Sequence, residues 1–324
     1  MRKQHADHNL TRDQALSLAE HHVADMPGLM IEAERVAATV DQGIHGRRRT
    51  GQGESFWQYR AFHQGDSAAQ VDWRRSAKSD SLYVRESEWE ASQTVWAWRD
   101  SSPSMAFRSV RGLPTKLDRA TVLTLGLAIL LLRSGERIGL MDGVTRAGSG
   151  KATLHRLAEA LTLTPGKVAG IGADTLERGL SESLPAPLPL PPFGQVVLIS
   201  DFLAPMDKLL GMMEAMADRR QKGLLWLITD PAEEALPYRG RVRFSGLEEE
   251  GMLLVRKAQS LRSEYREKRH AHYAALRDQA RRLGWQWLEH RTDMPAETAL
   301  LAAFQSLSHD RGGADWQARA GEHG

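Results

Sequence analysis

The sequence predicts an α/β fold, a doubly wound, mostly parallel sheet with helices on both faces, preceded by an N-terminal β-rich and helical extension. Three observations predict it. Beyond residue 93, short apolar runs alternate with longer stretches of helical spacing, the pattern of strands joined by helical crossovers. Four of those runs end in an aspartate: Trp98-Arg-Asp100, Leu-Met-Asp142, Ile-Ser-Asp201 and Ile-Thr-Asp230. The longest uncharged apolar run, Ala120 to Leu132, spans thirteen residues. A membrane span needs roughly 20, so this run reads as a buried helix.

The elements follow in order. Residues 11–41 carry helical spacing (Leu16, Ala19, Val23, then Ile31, Val36, Val40), and Gly43 to Gly53 reads as a flexible basic loop. Phe56 to Glu90 is too irregular for a helix and reads as short strands and turns, ending in the strand-like Ser81 to Arg85. A strand is expected over Thr94–Arg99, a helix over Lys116–Arg133, a strand over Arg137–Met141 and a helix over Thr153–Leu163. A shorter helix is expected over Asp174–Ser183. Pro185, Pro187, Pro189, Pro191 and Pro192 then make a stiff connector, because proline lacks the amide that helices and central strands require. Next come a strand over Gln195–Ser200, a helix over Met206–Lys222 and a strand over Leu224–Thr229. A long charged helix over 256–283, a strand over Trp285–Leu288 and a helix over 295–307 complete the pattern. The expected organisation is an extension over 1–90, the sheet domain over 91–308 and a disordered tail over 309–324.

Composition narrows the function. A chain of 324 residues can bury one substantial core, or a core with a smaller attached unit. With 41% hydrophobic residues, 26% charged and a net charge of +2, its balance does not itself imply nucleic acid. The absence of cysteine excludes disulfides, thiol nucleophiles and cysteine-type zinc sites, and fits a reducing compartment. No apolar core follows Arg2 and Lys3, so the N-terminus does not read as a signal peptide. The expectation is a soluble, cytoplasmic protein without a membrane span.

The most specific chemistry lies at Asp100-Ser-Ser102-Pro-Ser104, directly after a strand. A carboxylate with hydroxyls two and four residues on can set three hard oxygens around one small cation, a donor set suited to Mg²⁺ or Mn²⁺. The bland alternative is an aspartate that caps a Ser/Pro turn. In open parallel sheets ligands bind beyond the carboxyl ends of the strands, at a switch in strand order. Asp142 and Asp230 are followed at once by turn signals (Gly143, Pro231) and read as caps, which leaves Asp100 and Asp201 as candidates for a shared site.

These residues resemble the metal-ion-dependent adhesion site of the von Willebrand factor A-like fold, which begins with Asp-x-Ser-x-Ser after its first strand. The resemblance assigns metal contacts to Asp100, Ser102 and Ser104, and a water-mediated one to Asp201 in Val-Val-Leu-Ile-Ser-Asp201. It also implies a threonine from a second loop, for which Thr175 is the choice and Thr153 or Thr164 the reserves. Arg99, beside Asp100, is a cation able to pair with that carboxylate and replace the metal. A narrower likeness covers most of the chain. Arg60-Ala-Phe-His-Gln-Gly65-Asp66, then Val71-Asp72-Trp73-Arg74-Arg75-Ser76-Ala77-Lys78, then Leu82-Tyr-Val-Arg85-Glu86 resemble the signature of the bacterial domain-of-unknown-function family 58. Asp230-Pro-Ala-Glu233 and the segment from Phe244 to Gly251 fit its later parts. That resemblance implies a partner of MoxR-type AAA+ ATPases, with a protein client and no catalysis of its own.

Two other readings stand beside this one. The four strand-end aspartates Asp100, Asp142, Asp201 and Asp230 are also a donor set for two Mg²⁺ ions in phosphodiester hydrolysis. A nucleic-acid adaptor is the other, from Arg256, Lys257, Arg262, Arg266, Lys268 and Arg269. Glu264 and Glu267 interrupt that cluster, which favours a solvated face with ion pairs, so nucleic acid is not an expected partner. Asp66 and Asp72 are expected to pair with Arg60, Arg74 or Lys78 and pin the extension.

Overall fold

The computed structural model describes residues 28–42, 56–62, 71–78, 81–87, 93–162, 183–245 and 252–320. Two compact units emerge, 43–92 and the rest of the chain. The first helix, α1 (28–42), belongs with the larger unit, because its apolar stripe of Leu29, Ala33, Val36, Ala37 and Val40 is buried there. Charges on its polar side reinforce the docking, with Arg35 2.9 Å from Glu297 and Arg133 3.3 Å from Asp41.

In the smaller unit, β1 (Phe56–Ala61) pairs antiparallel with β2 (Tyr83–Ser87). Between them lies α2 (Trp73–Ser76), whose N-cap Asp72 accepts the Arg75 amide at 3.0 Å. Ser76 accepts the Tyr83 amide at 2.9 Å and ties the turn to β2. Asp66 and the side chain of Arg60, expected in this packing, lie outside the described residues, as does the Gly43–Gly53 loop.

The larger unit is built on five parallel strands in the order β4-β3-β5-β6-β9. They are β3 (Thr94–Arg99), β4 (Arg137–Leu140), β5 (Gln195–Ser200), β6 (Lys222–Thr229) and β9 (Gln286–Arg291). Crossovers between them are α3 (Lys116–Arg133), α4 (Gly150–Thr162) and α5 (Met206–Ala217). After β6 come the short α6 (Pro231–Ala235), the antiparallel hairpin β7 (Val242–Ser245) and β8 (Met252–Val255), then α7 (Arg262–Arg282). The last helix, α8 (Ala296–Ala320), continues through residues expected as a tail.

Alternation along the strands sorts the core into two layers. Val196, Leu198, Leu225 and Leu227 face one way and bury Leu209, Met213, Tyr273 and Leu276 of α5 and α7. On the opposite side α3 packs on β3, β5 and β6 and is itself flanked by α4 and α8. The stretch from Ala120 to Leu131 is buried throughout, which explains why a sequence so apolar sits in a helix with no exposed face. No described helix is long and apolar enough to cross a membrane.

The chain moves from β3 to β4 on one side, then returns past β3 to β5, β6 and β9 on the other. The direction of winding therefore reverses between β3 and β5. Loops leaving neighbouring strands part there, and the carboxyl ends of those two strands carry Asp100 and Asp201.

Candidate functional site

Asp100 follows the last residue of β3 with its side chain fully buried. One carboxylate oxygen accepts the Ser102 amide at 2.8 Å, and the other accepts the Ser200 hydroxyl at 2.6 Å. The first bond turns the chain sharply and directs Ser102 and Ser104 back towards the sheet edge, with their hydroxyls 3.1 Å apart. Ser104 Oγ then donates to Asp201 Oδ2 at 2.7 Å. Asp100, Ser102, Ser104 and Asp201 thus form one hydrogen-bonded cluster across the switch point. Burial, then the neighbouring Asp201 charge, raise the Asp100 carboxyl to about 6, although the bonds from Ser200 and Ser102 oppose them.

The loop after β5 is fixed from the other side by α7. Phe202 sits in the left-handed region at φ 51°, uncommon for a bulky side chain. It is held there by Tyr273 Oη, which donates to the Asp201 carbonyl at 3.0 Å, and by His272 Nε2, 2.7 Å from the Phe202 carbonyl. A carbonyl only accepts, so Nε2 is the donor in this contact.

Two further residues join the cluster that were not expected as site residues, Lys116 and Glu233, the latter named only as the end of the Asp230-Pro-Ala-Glu233 segment. Lys116 is the first residue of α3, after the N-cap Thr115, whose side chain forms a capping box with Asp118. Its ammonium lies 2.7 Å from Asp201 Oδ2 and 2.5 Å from Glu233 Oε1, and no part of its side chain reaches solvent. Burial alone would depress the lysine, but the two carboxylates outweigh it and hold its proton more firmly than usual. A lysine in the first turn of a helix opposes the helix dipole, but that placement alone points to no partner.

Other residues are placed as follows. Thr175 and Thr164 lie outside the described residues. Thr153 serves its own helix, donating to the Ser149 carbonyl at 2.9 Å and accepting from Arg156 at 3.0 Å. Arg99 donates to Thr121 at 2.7 Å and to the Leu161 carbonyl at 3.3 Å, so Lys116 is the cation that reaches this cluster's Asp201. Asp142 caps its turn, accepting the amides of Val144 and Thr145 at 2.8 and 2.7 Å. Asp230 caps α6, accepting the Ala232 amide at 2.8 Å, and its second oxygen takes the Ser109 amide at 2.9 Å. These commitments disfavour a two-ion centre drawing on all four aspartates. Along α7, Arg262 reaches the Leu236 and Tyr238 carbonyls, Lys268 pairs with Glu264, and Arg269 lies 3.5 Å from Glu234.

The oxygens of this cluster are of the kind Mg²⁺ takes, yet their arrangement does not fit a divalent ion. Asp201 Oδ2 already accepts two hydrogen bonds, from Ser104 and Lys116. A hydroxyl bound to a metal turns its lone pair towards the ion, whereas Ser104 here turns its proton towards the carboxylate. A doubly charged ion about 4 Å from an ammonium would be repelled by roughly 8 kcal/mol at an effective dielectric of about 20. Among the described residues no group of three or more His, Cys, Asp or Glu is arranged to hold a metal.

Residues 58–275, well over half of the chain, match the family described as Protein of unknown function DUF58, and the chain belongs to that family. It is 25% identical over 268 residues to the Uncharacterized protein Rv1480 of Mycobacterium tuberculosis and to the Uncharacterized protein Mb1516 of Mycobacterium bovis. Each match covers 80% of this chain and 82% of the relative. Among solved structures, BatB of Bacteroides thetaiotaomicron aligns at 14% identity and a TM-score of 0.35, over 67% of this chain and 98% of that one. An aerotolerance-related membrane protein of Bacteroides fragilis aligns at 15% and 0.36, over 67% and 99%.

Proposed function

We propose that this chain is a protein-binding adaptor built on a von Willebrand A-like domain, acting with a MoxR-type AAA+ ATPase on a protein client. The strand order, with its reversal between β3 and β5, and the bond from Ser104 to Asp201 across it support the domain assignment. One observation carries the binding role. Val110, Val144, Leu203 and Met294 stand 46–57% exposed, each in the segment that follows β3, β4, β5 or β9. Apolar side chains held in solvent around a rigid polar centre are the composition of a protein interface, with an anchoring core and charged groups for orientation. The rim loops are firmly set, since bonds from Ser104, Ser109 and Lys116 join the segments after β3, β5 and β6. A surface organised beforehand loses little entropy on binding.

Calorimetric titration against the MoxR-type ATPase of the same cell tests this reading. Leu203→Asp is expected to weaken binding by about tenfold or more, as loss of a desolvated anchor does. Unchanged affinity in Leu203→Asp and Val110→Asp alike would overturn it. The Mg²⁺ or Mn²⁺ expected from the adhesion-site resemblance is a separate question, because an apolar rim binds whichever cation organises its centre.

A further inference from the structure

We propose that the Lys116 ammonium is the resident cation of the rim site, standing where an adhesion-type site carries a divalent metal, with Glu233 as the carboxylate that completes it. The geometry supplies each part. The adhesion-site resemblance implies a cation between the first-loop hydroxyls and Asp201, and a cation with an unfilled position can accept an outside carboxylate. Here Ser104 and Lys116 meet on the same oxygen of Asp201, each at 2.7 Å. The third group on the ammonium is Glu233, which belongs to this chain and approaches from the segment after β6 at 2.5 Å.

Charge and burial agree with that assignment. Asp100, Asp201 and Lys116 are all buried, and Glu233 keeps 20% of its side chain exposed. Neighbouring buried carboxylates repel one another, and the cation shared by Asp201 and Glu233 offsets part of that penalty. Lysine suits the task as a compact point charge with three donors, here directed to Asp201 and Glu233 with the Phe107 ring 6.0 Å away. Its tether to α3 makes this cation permanent, whereas a bound ion exchanges with solvent. Glu233 is the partly exposed member, so a partner's acidic side chain would meet it first.

The test needs no partner protein, so it stands or fails separately from the adaptor reading. Wild-type protein is titrated with MgCl₂ and MnCl₂ by calorimetry, and its Tm is followed with each ion at millimolar concentration. Wild type is expected to give only dilution heat and an unchanged Tm. Lys116→Ala removes the tethered charge and is expected to gain saturable Mn²⁺ binding with a Tm that rises with the ion, a gain lost in Lys116→Ala/Asp201→Asn. Saturable binding by wild type that Asp100→Ala or Asp201→Asn abolishes would overturn the proposal. So would a folded Lys116→Ala that still ignores both ions. If Lys116→Ala does not fold, the wild-type titration alone decides.

Discussion

Lys116 Nζ and Asp201 Oδ2 lie 2.7 Å apart with essentially no exposure of either side chain, joining residues 85 positions apart in the chain. Removing one member of such a pair strands the other charge in the interior. Lys116→Met is expected to cost about 3–5 kcal/mol in urea unfolding. Adding Glu233→Gln to Lys116→Met is expected to recover part of that loss, since one fewer carboxylate then lacks its cation. A loss below about 1 kcal/mol would place the ammonium in a solvated setting instead.

The Ser104 hydroxyl is worth less, because serine is partly buried and its loss strands no charge. Ser104→Ala is expected to lower stability by about 1–2 kcal/mol, as for a hydrogen bond to a charged acceptor. A double-mutant cycle with Asp201→Asn isolates the pair, and a coupling within error of zero would show that the two loops do not meet in solution.

Gly223 in β6 admits no larger residue. A β-carbon there would stand 2.0 Å from two ring atoms of Trp285, whose indole N–H donates to the Gln221 carbonyl at 3.1 Å. Neither backbone nor ring can give way without breaking that bond. Gly223→Ala is expected to lose about 3 kcal/mol, with the penalty strongly reduced in a Trp285→Leu background. Equal penalties in both backgrounds would refute the clash.

His290 in β9 supplies one share of the pH dependence, opposed by Asp100, whose raised carboxyl adds stability as the pH falls. Burial, and secondarily the Arg119 charge, push its imidazole down to about 4, with only a smaller opposing pull from Asp293. In the unfolded chain the group titrates near its ordinary value of about 6.5. Between those values the unfolded chain binds the extra proton, so the His290 contribution to stability falls as pH falls through this window. From pH 7 to pH 5 the loss due to His290 is expected to be about 2 kcal/mol. Urea unfolding at both pH values checks this, and His290→Asn should remove that share of the slope.

Much of the fold was legible along the chain. β3, β5 and α3 occupy the expected residues, because strong periodicity and clear caps coincide there: Thr115 starts α3 and Ser134-Gly135 ends it. The helix expected to reach Lys222 stops at Ala217. Arg220 then adopts a left-handed φ of 58°, and the chain enters β6 at Lys222. The β7–β8 hairpin was missed, since Leu253 and Leu254 are adjacent and both exposed, giving no alternation to read.

Within the site, Asp100, Ser102 and Ser104 could be read together because they are near neighbours in one loop. Asp201 could be added because a strand-end aspartate has few places to go in a parallel sheet. Which cation they meet was not legible.

Local pattern established an α/β chain with its carboxylates along one edge of a parallel sheet, because periodicity and strand-end position are properties of neighbouring residues. Which charge those carboxylates share was settled only by folding. Lys116 is an ordinary helix-start lysine until α3 crosses the sheet and brings it between Asp201 and Glu233, 85 and 117 residues further on. Electrostatic contacts depend on distance in space and on burial, and a one-dimensional pattern encodes neither.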